Sequence, residues 1–414
     1  RIVNLKQILS NYLDSNIEEM KIVIVHLDFN AYFPQRLRAL KFFLANKGHE
    51  LFIFEMLGTP MLYSFSYVEK NDLNIETFYP DKTYQTVSRK MINRDVYKRL
   101  MEINPDIVIT GTIVFPPSAA AIRWAKENKK ALVVFENAKV SAFPRNKIVT
   151  WVKRKIYGVV DSFVCPSSDY IEDLKYWGFS KEQIFFGLNV TNNRFWAEKC
   201  QNTDFRMLPK HYFLTVGRQV PFKNLDTFLK AYLEYKRQGG NIPLVMVGEG
   251  ASHRELEVLS SGISDITFLP FQSYEKLRQI FINAKCLFLP SFKKETWGLI
   301  VNEAMAAGKI VAVSTECGCA NTLVKERVNG FLYNPLSEKE MISIMFEIQN
   351  MSIDEIHKMQ NEGRKIISNW DLDKFVEGVY SAVLYAISHK KKISLLDHLL
   401  VKLWKGQMKN NSVK

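Results

Sequence analysis

The sequence is poor in cysteine and lacks any long apolar run. Five cysteines in 414 residues, at unrelated spacings, argue against a disulfide framework. No segment reaches the roughly 18 consecutive apolar residues expected of a membrane span, and the first residues lack the apolar centre of a signal peptide. Cys317 and Cys319 have no matching second pair, so we predict no metal site. These absences favour a cytoplasmic protein.

Acidic residues are scarce in the two regions that carry much of the net charge of +13. Residues 141–160 contain five cations and no acid, beside Trp151 and Tyr157. The tail, residues 389–414, contains seven lysines against the single acid Asp397, and its leucines recur at helical spacing. Basic patches suit an anionic membrane surface or nucleic acid. Because the tail is amphipathic and no nucleic-acid motif is recognised, we predict peripheral binding to the inner face of a membrane.

The composition, 47% hydrophobic and 24% charged, is that of a globular protein long enough for two domains. Short apolar runs alternate with helical segments, which predicts an α/β protein with two doubly wound sheets. The polar residues 192–210 are interpreted as a linker, and the chain is expected to become helical after Phe331. The predicted divisions are a leader over residues 1–19, domains over 20–200 and 201–370, and a helix with a basic amphipathic tail over 371–414.

The stretch from 286 to 323 predicts a strand, a tight loop, a helix and a second strand. Glu295 lies just before the helix, which begins after Gly298, and Glu303 lies about one turn inside it. A helix N-terminus offers free N–H groups and a partial positive charge to a diphosphate. The two carboxylates could then accept hydrogen bonds from the hydroxyls of a sugar and of a ribose. Alternatively, Glu295 is a helix-terminal charge and Glu303 a solvated helix residue.

A second loop in the same half supplies cations. Arg218 follows Gly217 at the end of a predicted strand, and Lys223 stands five residues later at the entrance of a helix. A planar guanidinium and a mobile ammonium in one loop can clamp a diphosphate. An ordinary surface loop is the alternative.

Polar residues also follow the predicted strands of the first half. Ligands of doubly wound sheets bind beyond the carboxyl ends of the strands. The candidates at those ends are His26, Asp28, Asn30, Gly111, Thr112, Glu136 and Asn137. Each alone is explained by hydrogen bonding within a loop, whereas together they would line one crevice.

Two segments resemble a known family. ETWGLIVNEAMAAG, residues 295–308, resembles the signature of two glutamates separated by seven residues in the retaining glycosyltransferases of family 4. VGRQVPFKNLDTFLKA, residues 216–231, resembles the phosphate-binding segment of the same enzymes. The resemblance is strongest over residues 211–335. It implies a GT-B fold, with two Rossmann-like domains facing a central cleft, the acceptor in the first and the nucleotide sugar in the second. It also implies a final helix that crosses back to the first domain.

The resemblance also implies roles for individual residues. Arg218 and Lys223 would bind the diphosphate and stabilise its negative charge as it departs, Glu295 would hold the donor sugar, and Glu303 the ribose. The implied donor-binding set is Gly217, Arg218, Lys223, Phe271, Gln272, Glu295, Thr296, Trp297, Gly298, Leu299, Ile300 and Glu303. Within it, Phe271 and Gln272 would bracket the base, and backbone N–H groups around 297–300 would touch phosphate. The acceptor-side candidates are His26, Asn30, Glu136 and Asn137.

The implied reaction is the retaining transfer of a hexosyl group from a UDP- or GDP-linked donor to a lipid-linked or polysaccharide-precursor acceptor, without metal or cofactor. The chain departs from the family pattern at two places. FNAYFPQ follows the first strand where many members have a glycine pair, and Glu136 stands where many have a histidine. Glu136 is therefore only a candidate catalytic residue, and the base stays open. The alternatives are a nucleotide-sugar 2-epimerase of the same fold and a non-catalytic nucleotide-sugar-binding protein at a membrane.

Overall fold

The computed structural model describes residues 18–58, 69–83, 86–137, 139–140, 146–200, 204–292 and 294–406. These residues cluster into two compact units. Unit 1 comprises the described residues of Arg1–Asn137, Arg145–Leu188 and Phe375–Lys414, and unit 2 those of Ala138–Pro144 and Asn189–Lys374. The predicted leader lies outside the described residues except for 18 and 19. The predicted domain boundaries stay predictions.

The described part of unit 1 is built on a seven-stranded parallel sheet in the order β3-β2-β1-β4-β5-β6-β7. Its strands are β1 (Lys21–His26), β2 (Glu50–Leu57), β3 (Ile75–Tyr79), β4 (Ile107–Thr110), β5 (Ala131–Phe135), β6 (Ser162–Cys165) and β7 (Ile184–Phe186). Its helices are α1 (Phe33–Asn46), α2 (Arg89–Ile103), α3 (Pro116–Glu127), α4 (Lys147–Gly158) and α5 (Ile171–Tyr176). The central strands β4, β5 and β6 are buried along their whole length, as expected for a parallel sheet covered on both faces.

The described part of unit 2 is built on a six-stranded sheet, also parallel, in the order β10-β9-β8-β11-β12-β13. The strands are β8 (Tyr212–Val216), β9 (Leu244–Val247), β10 (Ile266–Leu269), β11 (Ala284–Leu289), β12 (Ile310–Ser314) and β13 (Gly330–Tyr333). The helices are α6 (Asn193–Ala197), α7 (Leu225–Arg237), α8 (His253–Leu259), α9 (Tyr274–Asn283), α10 (Leu299–Ala306), α11 (Ala320–Leu323), α12 (Glu338–Asn350) and α13 (Ile353–Ile367). Phe213, Phe228, Tyr235 and Phe288 are fully buried in the core on one face of this sheet.

The chain returns to unit 1 at its end. Helix α14 (Leu372–Ser388) starts at the junction, and from Phe375 onward it belongs to unit 1. The ring of Phe375 lies 5.9 Å from that of Phe135. A Cβ added at Gly378 would lie 1.9 Å from the carbonyl oxygen of Phe186, so only glycine permits this approach. Helix α15 (Leu395–Leu403) follows. Among the described helices, none has the length and apolarity that a bilayer crossing requires.

Several elements differ from the sequence prediction. Strand β3 and helix α2 were not predicted. Strand β3 is only partly buried along most of its length and so gives a weak apolar signal. The expectation that the chain becomes helical directly after Phe331 is wrong, since β13 continues to Tyr333 and α12 begins at Glu338. The predicted linker contains α6, whose first N–H groups are capped by Asn192. A cap and five helical residues are too short a signal to distinguish from a loop.

Candidate functional site

The candidate residues of unit 2 lie where its strand order reverses. Strand β8 has β9 on one side and β11 on the other, so the chain leaves β8 in one direction and later returns on the other side. Ligands of doubly wound sheets bind at such a switch point, beyond the carboxyl ends of the strands. The loop after β8 carries Arg218 and Lys223, and the loop after β11 carries Glu295. The topology therefore brings together charges that are 72 residues apart in the chain.

The loops after β8 and β9 pack backbone against backbone. Gly217 and Gly248 have φ values of +146° and +131°. A Cβ at Gly248 would lie 2.0 Å from the carbonyl oxygen of Gly217, so a side chain cannot enter there without moving the loop. The N–H of Gln219 donates to the carbonyl of Glu249 at 2.8 Å, and the N–H of Ser252 donates to the carbonyl of Gln219 at 2.9 Å. The segment that carries Arg218 is thus fixed by its neighbour.

Lys223 and Glu295 form an ion pair. The ammonium of Lys223 contacts Oε2 of Glu295, and both side chains are only about 15% exposed. The hydroxyl of Ser291 donates to the same carboxylate oxygen at 3.3 Å. The guanidinium of Arg218 and the ammonium of Lys223 each lie 5.5 Å from the centre of the Phe222 ring. Two cations and one carboxylate therefore converge at the switch point.

Asn224 fixes the place where helix α7 begins. Its φ is +55°, and its side-chain amide donates to the carbonyl oxygens of Pro290 at 3.2 Å and Pro335 at 2.7 Å. Asparagine tolerates this left-handed conformation better than most residues. The N–H of Phe292 donates to the carbonyl of Phe222 at 2.8 Å. These bonds tie the loop of Lys223 to the loop of Glu295.

Gly298 starts helix α10 with a φ of +99°. A Cβ there would lie 2.6 Å from Cδ2 of Leu289. Trp297 is buried against Trp370, and its indole N–H donates to Oδ1 of Asn302 at 2.9 Å, so its side chain braces the turn. The first N–H groups of a helix have no partner within the helix, and here they are those that follow Gly298. The turn therefore presents N–H donors at the carboxyl end of β11.

Glu303 is 1% exposed on α10, so the alternative reading of a solvated helix residue is wrong. Its assignment to a ribose stays a prediction. Phe271 and Gln272 follow β10, two strands from β8, and Phe271 is 46% exposed. The amide of Gln272 donates to the carbonyl of Pro270 at 3.0 Å. Their assignment to the base also stays a prediction, as does that of Thr296, Leu299 and Ile300 to the donor.

Sequence reasoning missed several polar residues at this site. Gln219 is 1% exposed, its Oε1 lies 2.5 Å from Nδ1 of His253, and its Nε2 has no hydrogen-bond partner among the described residues. Ser291 was also missed. The motif VGEG at residues 247–250 could have indicated that the loop after β9 packs closely on the loop that carries Gln219. Glycines directly after a strand are typical of such a close approach of backbone.

His26 and Asn30 lie at the corresponding switch point of unit 1, between β1 and β4. Nδ1 of His26 lies 2.9 Å from the carbonyl oxygen of Asp28, and the side-chain amide of Asn30 donates to Oδ1 of Asp28 at 2.9 Å. A Cβ at Gly111 would lie 2.7 Å from the imidazole. Burial lowers the pKa of His26 and so favours the neutral imidazole.

Glu136 is a buried carboxylate at the end of β5. It accepts hydrogen bonds from the hydroxyl of Thr112 at 2.8 Å, from the hydroxyl of Tyr157, and from the N–H of Asn137 at 3.0 Å. These donors orient the carboxylate. A catalytic role for Glu136, and an acceptor role for it and Asn137, stay predictions.

Four of the five cysteines, Cys165, Cys286, Cys317 and Cys319, are buried. Burial raises the pKa of the Cys317 and Cys319 thiols and so favours the protonated thiol. Within the described residues, no three histidine, cysteine, aspartate or glutamate side chains are grouped as metal ligands would be.

The second half of the chain matches a family model. Residues 205–366 match the family described as glycosyl transferases group 1. The chain is 32% identical over 195 residues to the D-inositol 3-phosphate glycosyltransferase of Nocardia farcinica, covering 44% of this chain and 43% of the relative. It is 27% identical over 141 residues to the lipopolysaccharide 1,2-N-acetylglucosaminetransferase of Salmonella typhimurium, covering 31% and 37%. The chain thus spans less than half the length of these curated relatives.

Solved structures show the same fold over nearly the whole chain. The crystal structure of Anabaena Alr3699/HepE in complex with UDP has a TM-score of 0.69 at 14% identity and covers 87% of this chain and 98% of that one. The predicted fold, two Rossmann-like domains of the GT-B type, is therefore confirmed. The predicted resemblance to glycosyltransferases is confirmed at the level of group 1. The assignment to the retaining enzymes of family 4 stays a prediction.

Proposed function

We propose, from the match of residues 205–366 to the glycosyl transferases group 1 family, that this protein is a retaining glycosyltransferase. It transfers a hexosyl group from a UDP- or GDP-linked donor to a lipid-linked or polysaccharide-precursor acceptor. The observation that carries the proposal is the convergence of Arg218, Lys223 and Glu295 at the switch point of unit 2. The UDP complex of the Anabaena structure supports a nucleotide-linked donor.

The chemistry determines what these charges do. Breaking the bond between the anomeric carbon and the phosphate oxygen develops positive charge on the sugar and negative charge on the departing diphosphate. Arg218, Lys223 and the N–H groups that follow Gly298 stabilise that negative charge. A preorganised donor of this kind commonly contributes about 3 to 4 kcal/mol to the transition state. These groups supply positive charge without a metal, so the proposed reaction is independent of added metal.

The ion pair gives Lys223 a second task. Its ammonium and the hydroxyl of Ser291 hold the Glu295 carboxylate, whose remaining lone pairs can accept hydrogen bonds from sugar hydroxyls. One side chain thus couples the position of the sugar to the position of the diphosphate. The acceptor oxygen attacks on the face from which the diphosphate departs, and its proton passes to a phosphate oxygen. The configuration at the anomeric carbon is retained.

A membrane-borne acceptor is favoured by a surface of unit 1. Ile148 and Trp151 on α4 are 75% and 49% exposed, and Lys147 and Arg154 are exposed on the same helix. Helix α15 contacts α4 and exposes its own leucines. Exposed apolar and aromatic side chains among cations are typical of helices that lie at an anionic bilayer surface. We place the enzyme at the inner, cytoplasmic face of a membrane.

The donor proposal is tested by thermal stabilisation of the full chain with UDP, GDP and their sugars, without added metal. A ligand that binds only the folded state at 100 times its dissociation constant stabilises by about 2.7 kcal/mol. We expect one base to raise the melting temperature, and Arg218→Ala to abolish the shift, whereas Lys358→Ala on the exposed face of α13 leaves it intact. No shift with any nucleotide would refute the proposal. Conversion of the donor to its C2 epimer would favour the epimerase alternative.

The membrane proposal is tested by cosedimentation with phosphatidylcholine vesicles containing phosphatidylglycerol. Ile148→Ser is expected to reduce binding severalfold. Ile353→Ser is the matched control, because Ile353 is 71% exposed but lies in unit 2, on α13. Equal binding of the two variants would exclude α4 as the membrane contact.

A further inference from the structure

Unit 1 contains a groove that the proposed reaction does not use. It lies between α2, α3 and the C-terminal strap, which we define as Leu403–Gly406. Its volume is about 1130 Å³, ample for a ligand of moderate size. We call it the cationic groove, and its lining includes the strap and the cations Arg89, Lys90, Arg94, Lys98, Arg123 and Lys405.

The lining of the cationic groove contains six cations and no acid. Three of the six pair with acids outside the lining: Arg94 with Asp95 at 2.6 Å, Arg123 with Glu127 at 2.9 Å, and Lys98 with Glu102 at 3.9 Å. The other three, Arg89, Lys90 and Lys405, form no ion pair with a described residue. About three positive charges are therefore uncompensated, close to the charge of a diphosphate.

The strap is held by hydrogen bonds to neutral carbonyl groups, which do not neutralise the cations of the groove. The indole N–H of Trp404 donates to the carbonyl of Ile113 at 2.8 Å. Arg89 and Asn93 donate to the carbonyl oxygens of Gly406 and Lys405, both at 3.2 Å. A Cβ at Gly406 would lie 2.6 Å from the backbone nitrogen of Pro116, so the strap packs directly on the start of α3. The tail thus returns over some 290 residues of sequence to close one wall of the groove.

The strap brings Lys405 to a surface that is already positive. Burial and the charges of Arg123 and Lys402 lower the pKa of Lys405, so its ammonium is less favoured there than in water. Its ammonium donates to the carbonyl of Lys402 at 2.8 Å. A bound anion would offset the repulsion among these cations. The groove also adjoins the loop after β4, since the strap contacts Ile113 and Pro116.

We infer that the cationic groove binds a multiply charged phosphate group of the diphosphate type, carried either by a lipid or by a soluble molecule. Guanidinium groups match phosphate oxygens in pairs, and lysines add point charge. The site lies wholly in unit 1 and uses none of the donor residues, so it stands whether or not the proposed reaction is correct.

The probe is inorganic pyrophosphate, titrated into the full chain by calorimetry at low salt. Because pyrophosphate can also bind the donor clamp, every variant carries Arg218→Ala. We expect binding in this background and a loss of affinity of tenfold or more in Lys90→Gln/Lys405→Gln. The matched control is Lys339→Gln/Lys358→Gln, which removes two exposed lysines of unit 2 and leaves the same net charge. Equal affinity in the two double variants, or no binding in the parent, would overturn the inference.

Two further arms complete the test. Vesicles of phosphatidylcholine that contain a long-chain isoprenoid diphosphate distinguish the source of the phosphate. If Lys90→Gln/Lys405→Gln reduces vesicle binding relative to its control, the ligand is a lipid headgroup. If vesicle binding is unchanged while pyrophosphate affinity is weakened, the ligand is soluble. If the double variant does not fold, Lys90→Gln alone serves, since Lys90 is exposed in the first turn of α2. Nucleotide binding by Lys90→Gln/Lys405→Gln with Arg218 intact is expected to be unchanged.

Discussion

The ion pair between Lys223 and Glu295 gives the sharpest test of the site, through the changes Lys223→Met, Glu295→Gln and the two together. Methionine keeps most of the length of lysine and removes its charge, and glutamine keeps the shape of glutamate. Each single variant leaves one charge or polar group in a partly buried position without its partner. The double variant removes both charges.

The expected magnitudes differ for stability and for catalysis. Two unit charges about 4 Å apart attract by about 4 kcal/mol at an effective dielectric constant near 20, and desolvation offsets much of this. We therefore expect a coupling of about 1 to 3 kcal/mol in the free energy of unfolding, so that the double variant is less destabilised than the sum of the singles. For catalysis, loss of the Lys223 charge is expected to reduce kcat by about 10² to 10³. The double variant does not recover that loss.

Urea unfolding measures the first quantity, and release of nucleotide from the donor sugar measures the second. The control is Lys230→Met on α7, whose pair with Asp226 is solvent-exposed and spans 4.0 Å. Such surface pairs contribute about 0 to 1 kcal/mol, and no effect on turnover is expected. Additive stabilities in the cycle would show that the pair is not energetically coupled. Turnover of Lys223→Met within threefold of the parent would refute its proposed catalytic role.

Two glycines and one partly buried lysine give further predictions. Gly248→Ala is expected to abolish stabilisation by nucleotide, because its Cβ would lie 2.0 Å from the Gly217 carbonyl oxygen. Gly262 is the control, since it also has a positive φ (+83°) but a Cβ there would have no atom within 4 Å. Gly262→Ala should lower the free energy of unfolding by only about 1 to 2 kcal/mol. If Gly248→Ala and Gly262→Ala had equal effects on urea unfolding and on nucleotide binding, the steric argument would be contradicted. Burial lowers the pKa of Lys309 to about 8. The unfolded chain then binds more protons between pH 8 and about 10.5, so this lysine should make stability rise with pH across that window, by at most about 3 kcal/mol. Lys309→Met should remove this rise in the free energy of unfolding, measured with urea between pH 8 and about 10.5. An unchanged pH dependence in the variant would refute the assignment of the rise to Lys309.

Much of the local structure was predictable from the sequence because it depends on neighbouring residues. The run ALVVF predicted β5 at its observed limits, and Gly298 predicted where α10 begins. The positions of Glu295 and Glu303 around a helix start, together with the cations after β8, predicted a diphosphate site. The family resemblance was visible in the same segments. Apolar periodicity and glycine positions carry this information within about ten residues.

The tertiary structure alone decided which of these groups meet. Lys223 reaches Glu295 because β8 lies beside β11 in the sheet, and that order depends on packing between segments far apart in the chain. Gly248 likewise must be glycine only because the loop of Gly217 packs against it in the folded chain. The same holds for the strap, which joins residues 403–406 to α2 and α3. The sequence determined the chemical groups and the elements that carry them, and the burial of apolar faces between distant elements determined their partners.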